Sequence, residues 1–164
     1  MSDEFDSKRE VTFFDEGETR ISTSTWPQVG RAVAGLLSLP IEADGDCKAP
    51  HMSQFKNGYV YINSFTVNQK EMLESVMRVT NTKIEDWKIS KEPVKQRYAA
   101  GCADLQSGNF RGIGKMLYGR IFFPDDCGNH EKTRGLQNEM LGLPKENIDD
   151  FTRIAIHRAA NGII

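Results

Sequence analysis

The sequence predicts an α/β fold with few strands and a mainly helical second half. Two observations lead to this prediction. Short runs rich in β-branched and aromatic residues lie only in the first ninety positions, at Val11–Phe14, Tyr59–Ile62 and around Trp87–Ile89. Apolar residues then repeat at helical spacing through most of the remaining chain. Because so few strands cover only part of so many helical faces, the predicted sheet looks incomplete.

The first elements are a strand, a tight turn and a capped helix. Val11–Phe14 predicts a strand, and Gly17 suits the turn after it because glycine tolerates a positive φ. Thr25 and Gln28 have the spacing of a capping box. The helix they open carries one predicted apolar face and ends before Pro40; its residues are Val29, Ala32, Val33, Leu36 and Leu37. Residues 1–8 are expected to form a flexible lead.

Residues 41–58 are polar and rich in turn-forming residues, which predicts a surface loop. Tyr59–Ile62 lacks polar interruption and predicts a strand covered on both faces. A second helix is predicted from a capping box at Thr66–Gln69, and a half-buried strand around Ile89. Helical spacing then predicts four further pieces, over residues 94–107, 110–121, 136–141 and 144–159.

Charge and composition exclude several classes of function. The 21 Lys and Arg residues are dispersed among 23 Asp and Glu residues, so the chain lacks the basic patch of a nucleic-acid-binding protein. No apolar run is long enough to span a membrane. The acidic start is unlike a secretory signal. Three widely spaced cysteines form no disulfide framework, which favours a cytoplasmic location.

Catalytic, cofactor-binding and metal-binding residues cannot be assigned from motifs. The glycine cluster Gly108–Gly114 has the wrong spacing for a dinucleotide-binding turn and joins two predicted helices. Two Cys and two His residues could together hold zinc, but they lie in separate loops, where solvated side chains are the alternative interpretation; they are Cys47, His51, Cys127 and His130.

One group of side chains suggests a ligand pocket. An aromatic and aliphatic cluster lies close to several glycines, and such a composition lines cavities for planar ligands. Packing in the core is the alternative reading of the same cluster. The candidate pocket residues are Phe110, Ile113, Leu117, Tyr118 and Phe122.

Several segments together resemble the NmrA-like, isoflavone-reductase-like family, in particular its fungal branch within the atypical short-chain dehydrogenases. The resemblance covers nearly the whole chain and rests on these segments: Asp15–Gly17, Thr23–Val33, Asn57–Ile62, Phe65–Gln69, Asp86–Trp87, Leu105–Phe110 and Leu141–Glu146. It implies the C-terminal portion of a Rossmann-like NAD(P)-binding fold. The family's glycine-rich βαβ segment and its catalytic lysine belong to a part of the fold not found in residues 1–164. Asn109-Phe110 resembles a segment near the substrate cleft of plant members.

The resemblance implies a substrate-binding half of an NAD(P)-dependent oxidoreductase, inactive by itself. NADP is implied for the intact fold, whereas this chain alone is expected to bind no cofactor. A reconstituted protein would act on a small aromatic or carbonyl-bearing molecule. The alternative is a non-catalytic NmrA-type regulator that senses a dinucleotide or binds a protein partner. An incomplete sheet also predicts self-association through an exposed strand edge.

Overall fold

A computed structural model describes residues 9–43, 45 and 49–162 of the chain. Among these residues the fold is mixed α/β, with short strands and a mainly helical second half, which confirms the predicted class. The strands are β1 (Glu10–Phe14), β2 (Ile21–Thr23), β3 (Phe65–Val67) and β4 (Lys88–Glu92). The helices are α1 (Trp26–Leu37), α2 (Gln69–Thr80), α3 (Val94–Gln106), α4 (Gly112–Ile121), α5 (His130–Thr133) and α6 (Ile148–Ala160). The predicted flexible lead, residues 1–8, lies outside the described residues.

The chain divides into two compact units. Unit 1 comprises residues 9–21, 67–128 and 147–162, and unit 2 comprises residues 22–66 and 129–146. The predicted surface loop, 41–58, belongs to unit 2. It contains a 3-10 turn at Met52–Phe55, and its described residues before that turn are largely exposed.

Unit 1 contains a two-stranded parallel sheet of β1 and β4. The register places Glu10 beside Lys88 and Phe14 beside Glu92. The alternation around Ile89 predicted one buried face for this strand, and that prediction is wrong. Ile89 is 40% exposed and its neighbours in β4 are exposed too. The alternation marks the strand correctly, but Lys88–Lys91 are all exposed and only Glu92, which binds Arg97 of α3, is half-buried.

The apolar core of unit 1 lies between the sheet and its helices. Ile21, Val94 and Phe122 are buried together. The ring of Phe14 meets that of Phe122 edge to face, with 5.4 Å between the centroids. Such pairs add a favourable quadrupole interaction to the burial of apolar area. The core therefore joins β1, the start of α3 and the end of α4.

Helices α3 and α4 approach each other closely at two glycines. A Cβ atom on Gly101 would lie 2.7 Å from the backbone nitrogen of Met116. One on Gly112 would overlap the carbonyl oxygen of Gly101 and lie 2.6 Å from Cβ of Asp104. The predicted junction between the helices is confirmed, with Gly108 at φ +83° just after α3.

Helix α2 is capped by Asn68 rather than by the predicted Thr66. The Asn68 side chain accepts a hydrogen bond from the Glu71 N–H, and the Glu71 carboxylate accepts one from the Asn68 N–H. The predicted capping box is thus displaced by two residues. The reason is that Thr66 lies within β3, so the backbone is still extended there.

In unit 2, α1 begins where the sequence predicts. The Thr25 hydroxyl accepts a hydrogen bond from the Gln28 N–H at 3.1 Å. The predicted apolar face is only partly correct, because Ala32 is buried while Val29, Val33 and Leu37 are exposed. The buried side of α1 instead carries Gln28, four residues before Ala32.

The segment Tyr59–Ile62 is not a strand, and Tyr59 is 81% exposed. The predicted buried strand is therefore wrong at this position. Its backbone is bonded by a loop instead: the Tyr61 N–H donates to Oε1 of Gln137 at 2.6 Å, and the Gln137 N–H donates to the Tyr61 carbonyl at 2.8 Å. The residue composition favours a strand, but no second strand lies beside this segment among the described residues of unit 2.

Candidate functional site

Unit 2 contains a polar cavity of about 620 Å³. Its lining residues come from two stretches of the chain. The first is the segment 63–66, and the second runs from residue 131 in α5 to residue 146. Ligand sites in proteins commonly have volumes of a few hundred to about a thousand cubic ångströms. The cavity is thus large enough for a small organic molecule.

Glu146 is the centre of the hydrogen bonds beside this cavity. Its side chain is only 5% exposed. The carboxylate accepts hydrogen bonds from the hydroxyl of Ser64 at 2.6 Å and from the hydroxyl of Thr25 at 2.7 Å. Nη1 of Arg31 donates to the other carboxylate oxygen at 2.7 Å. A buried carboxylate is tolerated here because each oxygen has at least one donor.

Two opposing effects set the ionisation of Glu146. Burial on its own would raise the pKa of this carboxyl group. The hydrogen bonds donated by Ser64, Arg31 and Thr25 favour the charged form and together outweigh burial, so the pKa lies below its ordinary value. Glu146 is therefore an anion held in place by its neighbours near neutral pH.

A buried glutamine connects α1 to this wall of the cavity. Gln28 is 1% exposed, and its Nε2 donates to the Pro144 carbonyl at 2.9 Å. Its Oε1 accepts from Nη1 of Arg31 at 2.9 Å. The same arginine therefore binds both Gln28 and Glu146. These bonds hold the loop before α6 against the start of α1.

Asn63 and Asn138 form another part of the lining. The Asn63 N–H donates to Oδ1 of Asn138 at 3.0 Å, and Nδ2 of Asn138 donates back to the Asn63 carbonyl at 2.8 Å. This reciprocal pair is equivalent to a short piece of strand pairing. It fixes the extended segment at the point where it enters the cavity wall.

The lining provides hydrogen-bonding groups rather than an apolar surface. It includes amides, hydroxyls and charged side chains, the exposed ones being Glu131, Glu139 and Lys145. The carboxylate of Glu146 already has three donors and is committed to structure. This arrangement suits the binding of a small polar molecule through hydrogen bonds.

The pocket residues predicted from the sequence belong to unit 1 and are not among the residues that line this cavity. Phe110 is 76% exposed, just before α4, while Ile113 and Leu117 follow it on one exposed face of that helix. Tyr118 beside them is 67% exposed. Phe122 is separated from the others, because it is buried in the apolar core of unit 1. A substrate-binding role for these five residues stays a prediction.

The zinc hypothesis from the sequence involves four residues. Cys47 lies outside the described residues. The other three do not form a metal site. Among the described residues, no three His, Cys, Asp or Glu side chains lie close enough together to bind a metal ion. Cys127 donates its thiol hydrogen to the Arg120 carbonyl at 3.1 Å. Among residues 9–43, 45 and 49–162, no helix has both the length and the apolar character needed to cross a bilayer.

Sequence patterns do not identify Gln28 and Glu146 as residues that build the candidate site. Gln28 was expected only as a capping residue, yet its side chain turns to the Pro144 carbonyl. The partners of Glu146 are as far as 121 positions away in sequence. A local pattern carries no information about such pairs, so these residues had no signal that a single sequence could reveal.

Comparison with known proteins relates the chain to fungal oxidoreductases. It is 24% identical over 144 residues to the oxidoreductase aprR of Aspergillus flavus, covering 88% of this chain and 43% of that protein. It is 22% identical over 139 residues to the oxidoreductase poxI of Penicillium oxalicum, covering 84% of this chain and 40% of that one. The chain therefore spans less than half the length of these curated relatives. No family model matches the sequence. No solved structure matches it.

Proposed function

We propose that this chain is the C-terminal, substrate-binding portion of an NAD(P)-dependent oxidoreductase of the NmrA-like, isoflavone-reductase-like group. The observation that carries the proposal is the similarity to the two fungal oxidoreductases, which extends over more than four fifths of this chain. The resemblance of the segments around Thr25–Val33 and Leu141–Glu146 to that group supports the finer assignment. Both segments contribute residues to the hydrogen bonds around Glu146.

The glycine cluster Gly108–Gly114 does not fit a dinucleotide. A pyrophosphate needs exposed backbone N–H groups at the start of a helix that follows a strand. Gly112 at the start of α4 is instead packed against α3, and the cluster joins two helices. We therefore assign cofactor binding to the part of the relatives that this chain does not match. These glycines are given no contact with the cofactor and no role in the reaction.

The role left to this chain is to bind and orient a small aromatic or carbonyl-bearing molecule. The exposed side chains on α4 and just before it offer stacking and apolar contact, with Phe110, Leu117 and Tyr118 as the principal candidates. The network around Glu146 would act as a scaffold, because its polar atoms are occupied by one another. Neither group is assigned a bond-making step.

A chimera tests the proposal. This chain would replace the matching segment of the Aspergillus flavus aprR protein, and NADPH binding and oxidation would be measured with a panel of aromatic carbonyl compounds. We expect a folded chimera that binds NADPH and oxidises it with at least one compound. NADPH binding without oxidation, when the parent aprR protein oxidises NADPH with the same panel, would contradict the substrate-binding role given to this chain. A folded chimera that binds no NADPH would refute the proposal.

Variants on α4 test the substrate-binding role in the same chimera. Tyr118→Ala is expected to raise KM for the substrate without changing the affinity for NADPH. Ile154→Ala is the matched control, because it removes another exposed apolar side chain from a helix of unit 1. Equal KM values for the two variants would contradict the assignment of Tyr118.

A further inference from the structure

The two outer edges of the sheet in unit 1 differ. In a parallel pair, alternate residues of each strand direct both backbone groups to the neighbouring strand. The Lys88 N–H donates to the Arg9 carbonyl at 2.8 Å, and the Asp15 N–H donates to the Glu92 carbonyl at 3.0 Å. Lys88 and Glu92 therefore face β1 with their backbone groups. By alternation, those of Ile89 and Lys91 point away from the sheet.

The outer edge of β1 is closed by a side chain. The Phe14 N–H donates to Oε1 of Gln69 at 2.7 Å, and Nε2 of Gln69 donates to the Thr12 carbonyl at 3.3 Å. One amide thus occupies two of the outward backbone groups of β1, the Phe14 donor and the Thr12 acceptor, and a strand added at this edge would have to displace it. No described residue does the same for the outward backbone groups of Ile89 and Lys91, and β4 is exposed from Lys88 to Lys91. The edge available for pairing is that of β4.

We propose that β4 pairs with β4 of a second copy of this chain, antiparallel and with Ser90 opposite Ser90. This goes beyond the proposed function, because it concerns assembly and not the reaction. Ile89 then lies opposite Lys91 of the second copy, and both residues direct their backbone groups toward the partner strand. Two such pairs form four backbone hydrogen bonds across a two-fold axis.

The charges of β4 select this register. Lys88 lies opposite Glu92 of the second copy, and the same pair recurs on the other side of the axis. Both are non-hydrogen-bonded pairs, in which side chains approach most closely, so opposite charges there are favourable. Shifting one strand by two residues relative to the other, in either direction, leaves only three residues of β4 paired. In one of the two directions it also places Lys91 opposite Lys91, which is repulsive.

The charged groups are accessible for this exchange. The Lys88 ammonium now binds the Glu10 carboxylate at 3.0 Å, and the two side chains are 76% and 50% exposed. The Glu92 carboxylate binds Nη1 of Arg97 at 2.9 Å. The pair of Lys88 with Glu10 is exposed and contributes little on its own, and the Glu92 side chain, though half-buried, is still 36% exposed, so both residues are able to add a partner across the interface. We expect a weak dimer that forms as the concentration rises.

Sedimentation of the full chain over a range of concentrations tests the proposal. The mass should rise from 18.5 kDa to twice that value. Lys88→Glu puts like charges into both cross-strand pairs and should weaken association about tenfold. Glu10→Gln is the control, because it removes the intrachain partner of Lys88 and leaves the edge intact. A monomer at all concentrations, or equal association of the Lys88→Glu and Glu10→Gln proteins, would overturn the proposal.

Disulfide cross-linking tests the register independently of the charge variant. Ser90→Cys places two thiols opposite each other on the two-fold axis, at the spacing that a disulfide spans. Lys91→Cys is equally exposed but lies opposite Ile89 of the second copy. Under mild oxidation, the first variant should form covalent dimers linked through position 90 and the second should not, with the parent protein measured alongside. Equal cross-linking of the two variants, or none in either, contradicts the register.

Discussion

Unit 1 and unit 2 are held together by different interactions. In unit 1, apolar side chains such as Val94 and Phe122 fill a core, and two glycines let α3 and α4 meet at backbone distance. In unit 2, the buried residues include Gln28 and Asn63, which bond carbonyl and amide groups of distant loops. The stability of unit 1 therefore depends on how well apolar side chains fill its core, whereas that of unit 2 depends on the matching of hydrogen-bond donors to acceptors.

The largest expected effect is at the glycine contact of unit 1. Gly112→Ala forces the α3 backbone away from α4, because the new methyl group would overlap the Gly101 carbonyl. Overpacking of this kind should lower the free energy of unfolding by about 3 kcal/mol. Denaturation by urea measures the change.

Gly114→Ala is the matched control on the same helix. Nothing lies within 4 Å of the position that its Cβ would occupy. Alanine also favours a helix over glycine by roughly 0.5–1 kcal/mol. The control should therefore be slightly stabilised, and a similar loss in both variants would show that volume at the helix contact is not decisive.

A smaller effect is expected when a donor is removed from unit 2. Gln28→Met keeps the length of the side chain but leaves the Pro144 carbonyl without its donor and removes one of the two acceptors of the Arg31 guanidinium, the other being Glu146. An unsatisfied buried polar group costs about 2 kcal/mol. Hydrogen exchange of the amides in unit 2 should show the loss, and Gly30→Ala, a change in open space on α1, should not.

The smallest effect concerns an ion pair of unit 1. Nε and Nη2 of Arg78 donate to the two carboxylate oxygens of Asp149, and the Ser75 hydroxyl donates to one of them. The bonds from Arg78, followed by that from Ser75, lower the pKa of Asp149 from 3.8 to about 2. Because the carboxyl group is more acidic in the folded state, its stabilisation is complete above about pH 4 and is lost as the pH falls toward 2.

The difference in unfolding free energy between the parent protein and Asp149→Asn should therefore shrink between pH 4 and pH 2. Urea denaturation at a series of pH values measures it. Asp150→Asn serves as the control for the loss of one carboxylate in the first turn of α6. A constant difference between the parent and Asp149→Asn over that interval would contradict the role given to Arg78.

The same contrast explains what the sequence predicts well. The start of α1 at Thr25 and the turn after α3 at Gly108 are local features, and both are found where expected. The parallel pairing of β1 with β4 joins residues 78 positions apart, and no pattern in either strand specifies it. Periodicity therefore identifies elements but not their partners.

The candidate site was harder to predict than the fold for the same reason. The lining of the cavity depends on Asn63 meeting Asn138 and on Ser64 meeting Glu146, at separations of 75 and 82 residues. The aromatic cluster predicted as a pocket lies mostly on the surface of α4, because a helix that crosses its neighbour through glycines presents its larger side chains outward. Amino-acid type alone does not distinguish these two outcomes.

The side chain of Gln69 has a consequence for the size of any assembly built through β4. A sheet with both of its outer edges open would let copies add without limit and form a fibre. Among the described residues, the amide on the outer side of β1 leaves the sheet of β1 and β4 with one open edge, and pairing through β4 consumes it. Growth then ends at two copies, and a single glutamine at the start of a helix makes the assembly finite.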